Sequence, residues 1–224
     1  MHSSYIKKKG ELGVILSRIK EGDIVFDVGA CVGNWFKYVL ANFQNVKIYA
    51  FEPFDVNFQK LLCVYGKEER AIIHPYAIKN DEQLFYTYAN HTSFSTFYRR
   101  NDKVETRFNL DAVPVKVGIT SLDEFCVTHG IQHINFLKID VEGAEFDVLK
   151  SADNLLENKQ IDNIQFEYGG CYLDAGITLK EVYTFLSEKG YLIHKIHRTE
   201  TKLIPKWQDD LENFKMINFL AVKI

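Results

Sequence analysis

The order of apolar and polar positions divides the chain into alternating strand-like and helix-like pieces. Residues 11–20 place Leu12, Ile15, Leu16 and Ile19 at i, i+3, i+4 and i+7, one face of a short helix beside the opening strand. The stretch Val25-Phe-Asp-Val-Gly-Ala-Cys-Val-Gly33 reads as a buried strand ending in a glycine-rich turn, and 34–40 continue as a helix. Residues 47–52 predict a second buried strand that ends in an acid, with Pro53 stopping it; Phe54, Phe58, Leu61 and Leu62 mark the next helical face. Residues 71–74 give a third strand and 83–88 an added one. Residues 89–112 lack a clean period and read as a lid or substrate loop. Residues 113–117 predict a strand, and Ser121 with Glu124 a capping box opening a helix that Gly130 closes. Residues 134–140 form the fourth strand of the main sheet and 143–150 the helix after it. Residues 161–168 are the next strand. Thr178 and Glu181 cap a helix with Leu179, Val182, Tyr183 and Leu186 on its face, ended by Gly190. Residues 191–196 and 216–224 read as two final strands pairing as an antiparallel hairpin.

This alternation predicts an α/β fold with a doubly wound, Rossmann-like sheet, mostly parallel with an antiparallel C-terminal edge strand. Residues 1–20 read as an N-terminal helical extension and 21–224 as one domain. With 224 residues, 46% hydrophobic and 25% charged, the chain has the balance of an ordinary globular protein. A net charge of −3 provides no basic field for nucleic acid or anionic membrane. Lys7, Lys8 and Lys9 read as a solvated terminus. No stretch approaches the ~20 apolar residues of a membrane span, and residues 1–10 lack the apolar core of a secretory signal. Cys31, Cys63, Cys126 and Cys171 form no Cys-x-x-Cys pair, so free thiols and a cytoplasmic location are expected.

The opening turn does not fit a dinucleotide. Gly-x-Gly-x-x-Gly laid on Gly29 requires glycine at 31 and 34, where Cys31 and Asn34 stand. The chain carries Asp27, Gly29 and Gly33, with Glu52 closing the second strand. A carboxylate there can accept both hydroxyls of a ribose, while Asp27 repels a pyrophosphate and accepts from an ammonium. A nucleoside with an amino-acid end describes S-adenosylmethionine. Asp27 as a helix cap, Gly29 as a simple turn residue and Glu52 as a surface acid are the plainer readings.

The motifs Phe26-Asp-Val-Gly-Ala-x-Val-Gly33, Ala50-Phe-Glu-Pro53, Ser121-Leu-Asp123 and Leu137-Lys-Ile-Asp-Val-Glu-Gly-Ala-Glu145 stand in this order. They resemble the FkbM family of class I S-adenosylmethionine-dependent methyltransferases, from about Asp23 to Ile196. The resemblance implies that S-adenosylmethionine lies against Gly29, Ala30, Gly33 and Asn34. It implies that Asp27 orients the amino-acid end, that Glu52 beside Pro53 holds the ribose, and that Ala77 and Ile78 flank the adenine. Ser93, Ser95 and Thr96 resemble the family's serine-bearing loop near the cofactor, and Asp140 would sit near the methyl group.

A hydroxyl acceptor benefits from a general base. The candidates are Asp140, Glu142, Glu167 and His91; Glu142 also reads as a helix cap, Glu167 as a core acid and His91 as an exposed loop residue. Asp140 with Glu142 has the chemistry for Mg²⁺, but the family implies no metal. The resemblance favours O-methylation of a sugar or secondary metabolite. Tyr86, Tyr88, Phe94, Phe97, Tyr98, Arg99 and Arg100 are the expected acceptor surface. Asp140-Val-Glu-Gly143, where exocyclic-amine methyltransferases carry a Pro-Pro-aromatic motif, argues against a nucleic-acid partner. A homo-oligomer is compatible with the sequence. The alternatives are an NAD(P)-dependent reductase and a non-catalytic nucleoside-binding relative.

Overall fold

A computed structural model describes residues 3–224, with side chains from residue 10 onward; Lys7, Lys8 and Lys9 therefore lie outside the described side chains. In chain order the elements are α1 (Ser3–Arg18), β1 (Ile24–Val28), α2 (Phe36–Asn42), β2 (Lys47–Phe51), α3 (Asp55–Tyr65), β3 (Ala71–His74), β4 (Tyr76–Ile78) and β5 (Phe85–Tyr88). They continue with α4 (Asp102–Phe108), β6 (Ala112–Val115), β7 (Gly118–Thr120), α5 (Leu122–His129), β8 (Ile134–Ile139), α6 (Glu145–Lys150) and α7 (Asp153–Glu157). The last are β9 (Ile161–Tyr168), α8 (Cys171–Ala175), α9 (Leu179–Glu188), β10 (Tyr191–Ile196), β11 (Thr201–Leu203) and β12 (Ile217–Lys223).

Eight strands form the main sheet in the order β11-β10-β12-β9-β8-β1-β2-β3. β1 lies parallel between β2 and β8, so its carboxyl end meets both neighbours at the sheet centre. The expected antiparallel C-terminal end of the sheet is present, with β10 and β12 paired antiparallel and an antiparallel strand at the edge. β12 lies between β9 and β10, antiparallel to both, and β11 occupies the edge beside β10. The central strands are buried on both faces, which explains their near-continuous apolar runs.

One face of the sheet packs Phe26, Val28, Leu137, Ile139 and Phe166 against α5, α6 and α9. The other packs Val25, Ile48, Phe136 and Leu220 against Val14, Ile15 and Ile19 from the α1 end, with Phe36 of α2 and Leu61 of α3. The predicted stripe of α1 is displaced: Val14 is buried and Leu16 is exposed. On α3 Leu62 is likewise exposed and Asn57 is buried.

Several shorter elements depart from the expected pattern. Residues 89–112 are not structureless: a 3-10 turn at Thr92–Phe94 and α4 lie within them. β5 pairs with β6 and β4 with β7, making two small sheets outside the main one. Ser121 accepts from the Glu124 amide, but only Thr178 and Glu181 form a reciprocal capping box. All four cysteines are free.

The tightest backbone constraint lies at the end of β1. Gly29 has φ +81, and a Cβ on it would collide with the Asp140 carbonyl oxygen. Gly130, which ends α5, has φ +65 but nothing within 4 Å of such a Cβ. Gly130→Ala is expected to lose about 1 kcal/mol, the cost of the left-handed backbone alone. Gly29→Ala should lose at least ~3 kcal/mol, because strain and collision act together. Urea unfolding of the two variants measures the difference, and equal losses would contradict this account of Gly29.

Candidate functional site

The carboxyl ends of β1, β2 and β8 open into a narrow cleft, about 540 Å³ when the open space at its mouth is included. Its walls bring together Gly29, Glu52, Pro53, Ala77, Ile78, Ser95, Asp140 and Glu142 from the sequence-derived candidates. Asp27, Ala30, Gly33, Asn34, His91 and Glu167 are not among its lining residues. Gly33 instead makes room for the Tyr65 and Phe36 rings. His91 is exposed, packing edge-on against Phe94 at 5.8 Å between ring centroids.

Glu52 is 5% exposed at the end of β2. Its Oε2 accepts the Cys31 amide at 2.8 Å and its Oε1 the Phe54 amide at 2.8 Å. Cys31 stands in the left-handed region at φ 51, which aims its N–H at this carboxylate. Burial pushes Glu52 up to about 7 against those two amides. Next to it Asn57, 1% exposed, lines the cleft with an Oδ1 that has no hydrogen-bond partner, and so does Ser95 with its Oγ. Buried polar atoms without partners are uncommon. Two of them, one acid and the apolar walls of Phe51, Ile78 and Phe85 suit a ligand with an apolar face and several hydroxyl or amine groups. A nucleoside has that character, so the residues fit S-adenosylmethionine. Asn57 was not legible as a site residue, because an asparagine inside a helix carries no motif of its own.

The turn after β8 is held by Glu145, a residue within the quoted motif. Its fully buried carboxyl accepts the Val141 and Gly143 amides, each at 3.0 Å, and burial pushes it up to about 8. It is this residue, not Glu142, that takes up the turn's amides. Glu142 sits at φ 57 and its Oε2 pairs with an Arg100 amino group at 2.6 Å. Asp140 Oδ2 is 3.0 Å from Lys138 Nζ. Carboxylate oxygens of Asp140, Glu142 and Glu167 lie within 4.8 Å of one another. Three of the four catalytic candidates therefore meet, with Asp140 and Glu142 lining the cleft and the buried Glu167 behind them, and His91 is not among them.

Residues 92–100 roof the cleft and are fixed by polar contacts. Thr96 Oγ1 donates to the Val141 and Glu142 carbonyls at 3.2 and 3.0 Å. Tyr98 donates its hydroxyl to Asp147 at 2.6 Å, and Lys79 pairs with the same carboxylate at 2.6 Å. Tyr88 accepts the Arg100 amide, and Arg99 pairs with Glu105. Most of the aromatic and arginine residues expected to face an acceptor are thus engaged within the roof, although Phe97 does reach the cleft wall.

Asp27 lies on the other face of β1, buried beside its register partner Lys138. Burial raises it to about 7 against the pull of Lys138, and its Oδ2 has no hydrogen-bond partner.

Residues 27–193 match the profile of the Methyltransferase FkbM domain. The chain is 25% identical over 213 residues to the hexuronic acid methyltransferase AglP of Haloferax volcanii, covering 90% of this chain and 79% of that protein. A crystal structure of a methyltransferase FkbM from Methylobacillus flagellatus KT superposes with a TM-score of 0.51 at 15% identity, covering 90% of this chain. The chain spans 43% of that crystallised chain, less than half its length. TrmK of M. capricolum, solved with S-adenosyl-homocysteine, gives a TM-score of 0.51 at 12% identity, covering 95% of this chain and 67% of that one. The sheet order agrees with a methyltransferase fold, and the reductase reading falls with the family match. By the profile match over most of its length, the chain belongs to the FkbM methyltransferase family and is an S-adenosylmethionine-dependent methyltransferase.

Proposed function

We propose that the chain O-methylates a hydroxyl of a sugar, with one of the converging carboxylates as general base. The observation that carries this reading is the meeting of Glu167 with Asp140 and Glu142, two residues of the cleft wall. S-adenosylmethionine supplies a methyl group on a positively charged sulfur. Gly29 leaves the cleft floor open, Glu52 and Asn57 hold the ribose hydroxyls, and Ala77, Ile78 and Phe85 enclose the adenine. Ser95 donates from the roof. Asp140 borders the reacting centre, where a carboxylate favours a cation.

A sugar hydroxyl is a weak nucleophile near neutral pH, so removal of its proton as the new bond forms lowers the barrier. Glu142 pairs with Arg100 and is fixed in direction by the Glu145 turn. Glu167 is the second candidate, nearly buried at the end of β9. The relationship to a hexuronic acid methyltransferase supports a sugar acid as acceptor. The absence among the described residues of a helix long and apolar enough to cross a membrane is compatible with a small, water-borne acceptor.

Incubation with S-adenosylmethionine and a panel of hexuronic acids, their glycosides and neutral hexoses should release S-adenosylhomocysteine. The methylated product should survive mild alkali, as an ether does. A methyl group released as methanol would mark a carboxyl ester and refute hydroxyl transfer. No turnover with any hydroxyl acceptor would favour the non-catalytic reading. Either Glu142→Gln or Glu167→Gln is expected to lower kcat by about 10²–10⁴ with donor affinity retained. Full turnover in both variants would remove them as bases.

Donor binding has its own pH signature. Only ionised Glu52 can accept both ribose hydroxyls while it holds the Cys31 and Phe54 amides. Its pKa near 7 means that S-adenosylhomocysteine affinity should weaken as the pH falls below about 7, approaching tenfold per pH unit. Calorimetric titration from pH 5.5 to 8.5 measures this. Glu52→Gln should bind weakly throughout with a flatter profile, and an unchanged affinity would displace the ribose from Glu52.

A further inference from the structure

The segment between Tyr88 and Thr96 is held differently from the rest of the roof. Both of its ends are fixed. Tyr88 is buried and pairs with Ala112 of β6, and its hydroxyl accepts the Arg100 amide at 3.0 Å. Thr96 is fully buried. Its backbone exchanges hydrogen bonds with Tyr86 at 2.7 and 3.0 Å, and its hydroxyl donates to the Val141 and Glu142 carbonyls. Residues 89–95, between these anchors, make short-range backbone bonds: His91 to Tyr88, Phe94 to His91 and Ser95 to Thr92. Among the described residues, the one hydrogen bond from another element to this segment is long, from Asn57 Nδ2 on α3 to the Thr92 carbonyl at 3.5 Å. Ala89, Asn90, His91 and Ser93 are exposed.

Yet Thr92, Ser93 and Ser95 line the cleft together with Gly29, Glu52 and Asn57. A donor lying on Glu52 is therefore covered by this segment. Two buried polar atoms, Oδ1 of Asn57 and Oγ of Ser95, have no partner here. A donor that satisfies both joins the segment to α3. From outside the cleft one side chain holds the segment down. The Phe94 ring packs on Phe108 of α4 with centroids 5.3 Å apart, and the Arg100 guanidinium carbon lies 5.6 Å from the Phe94 ring centre. Neither Phe94 nor Phe108 belongs to the cleft wall. The guanidinium beneath Phe94 is the one that pairs with Glu142, so this contact closes against the acidic turn.

We infer that residues 89–95 are a flap that turns about Tyr88 and Thr96, lifts to admit S-adenosylmethionine and closes over it, with Phe94 as its latch. The lid expected over residues 89–112 thereby contracts to 89–95, while residues 96–100 and α4 are the frame against which it shuts. A segment with fixed ends and few outward bonds opens without disturbing the turns that carry Asp140 and Glu142. The donor supplies the partners that Asn57 Oδ1 and Ser95 Oγ lack, so it binds the closed form better than the open one and shifts the flap towards closure. The inference rests on the placement of the donor on Glu52 and is independent of which acceptor is methylated.

The test uses the full chain and S-adenosylhomocysteine. Hydrogen exchange of the amides in residues 90–95 is expected to be fast in the free chain and to slow about tenfold or more at saturation, while the Thr96 amide, bonded to Tyr86, keeps its rate. Stopped-flow release then tests the latch. Phe94→Ala loses both the ring pair and the guanidinium contact and should release S-adenosylhomocysteine about tenfold faster. Phe108→Ala loses the ring pair alone and should release it about threefold faster. Phe94→Tyr should restore the parental rate. Because neither ring lines the cleft, these changes remove no donor contact. The inference is overturned if residues 90–95 exchange equally with and without S-adenosylhomocysteine, or if both alanine variants release it like the parent. The exchange measurement needs no variant, so it decides even where an alanine variant fails to fold. Failure of the donor placement is distinguishable. Parental affinity in Glu52→Gln with residues 90–95 unprotected would refute donor placement and flap together. Weakened affinity in Glu52→Gln with residues 90–95 unprotected would keep the placement and refute the flap alone.

Discussion

The site depends on the close contact between the turns that leave β1 and β8. The Gly29 α-carbon lies so near the Asp140 carbonyl that no side chain fits between them, and the Asp140 amide donates to the Val28 carbonyl at 3.0 Å. This contact brings the glycine turn and the acidic turn into one wall. Glu145 then fixes the second turn from beneath by accepting two of its amides. With the backbone held at both points, Glu142 can persist at φ 57, a conformation that costs a non-glycine residue about 1 kcal/mol or more. Its carboxylate is thereby directed at Arg100 and the rest of the trio. The roof is tied to the same turn through Thr96, so cleft floor, acidic turn and roof share one anchor.

The same anchor explains a tension between stability and chemistry. Asp27, Glu52 and Glu145 are all buried, and burial raises each, to about 7, 7 and 8. Their values are higher folded than unfolded, so the folded chain holds protons that the unfolded chain releases. The stability linked to these groups is full below about pH 4 and is lost as the pH rises through 7 to 8. Ribose recognition by Glu52 requires the opposite, an ionised carboxylate. The site therefore works where these three acids stabilise the fold least. The Cys31 and Phe54 amides reduce that conflict by favouring the charged form of Glu52.

What the sequence disclosed follows from how local each signal is. Gly29, Glu52 and Asp140 stand at the ends of strongly apolar strands, where an α/β sheet places its ligands, so their positions were legible together. β12 was legible as a strand antiparallel to β10, but its pairing with β9 on the other side is a long-range contact that no local pattern encodes. β4 and β7 are three residues each, too short to show a period, and α4 lies in a stretch without apolar spacing. Leu16 and Leu62 misled because helical spacing identifies a stripe but not its limits, and Val14 and Asn57 took the buried positions. The roof aromatics looked available because sequence shows hydroxyl and guanidinium groups without showing their partners. Glu145 was visible as part of a motif, while its role as a backbone clamp became apparent only from the two amides it accepts.

The polar row across the second face of the sheet has no counterpart in the apolar patterning. Asp27, Lys138 and Gln165 are neighbours in register on β1, β8 and β9, and Glu11 of α1 closes over Gln165. A sheet stabilised by burial alone would fill these places with aliphatic residues, as it does one step earlier with Val25 and Phe136. Lys138 is held charged, and its value is raised by Asp140 and Asp27 despite the cost of burial. It connects the concealed Asp27 to the exposed acidic turn through its 3.0 Å contact with Asp140. Removing Lys138 would leave the Asp27 and Asp140 carboxylates without the cation between them. The buried ion pair is thus better understood as electrostatic support for the acidic site than as a contribution to folding.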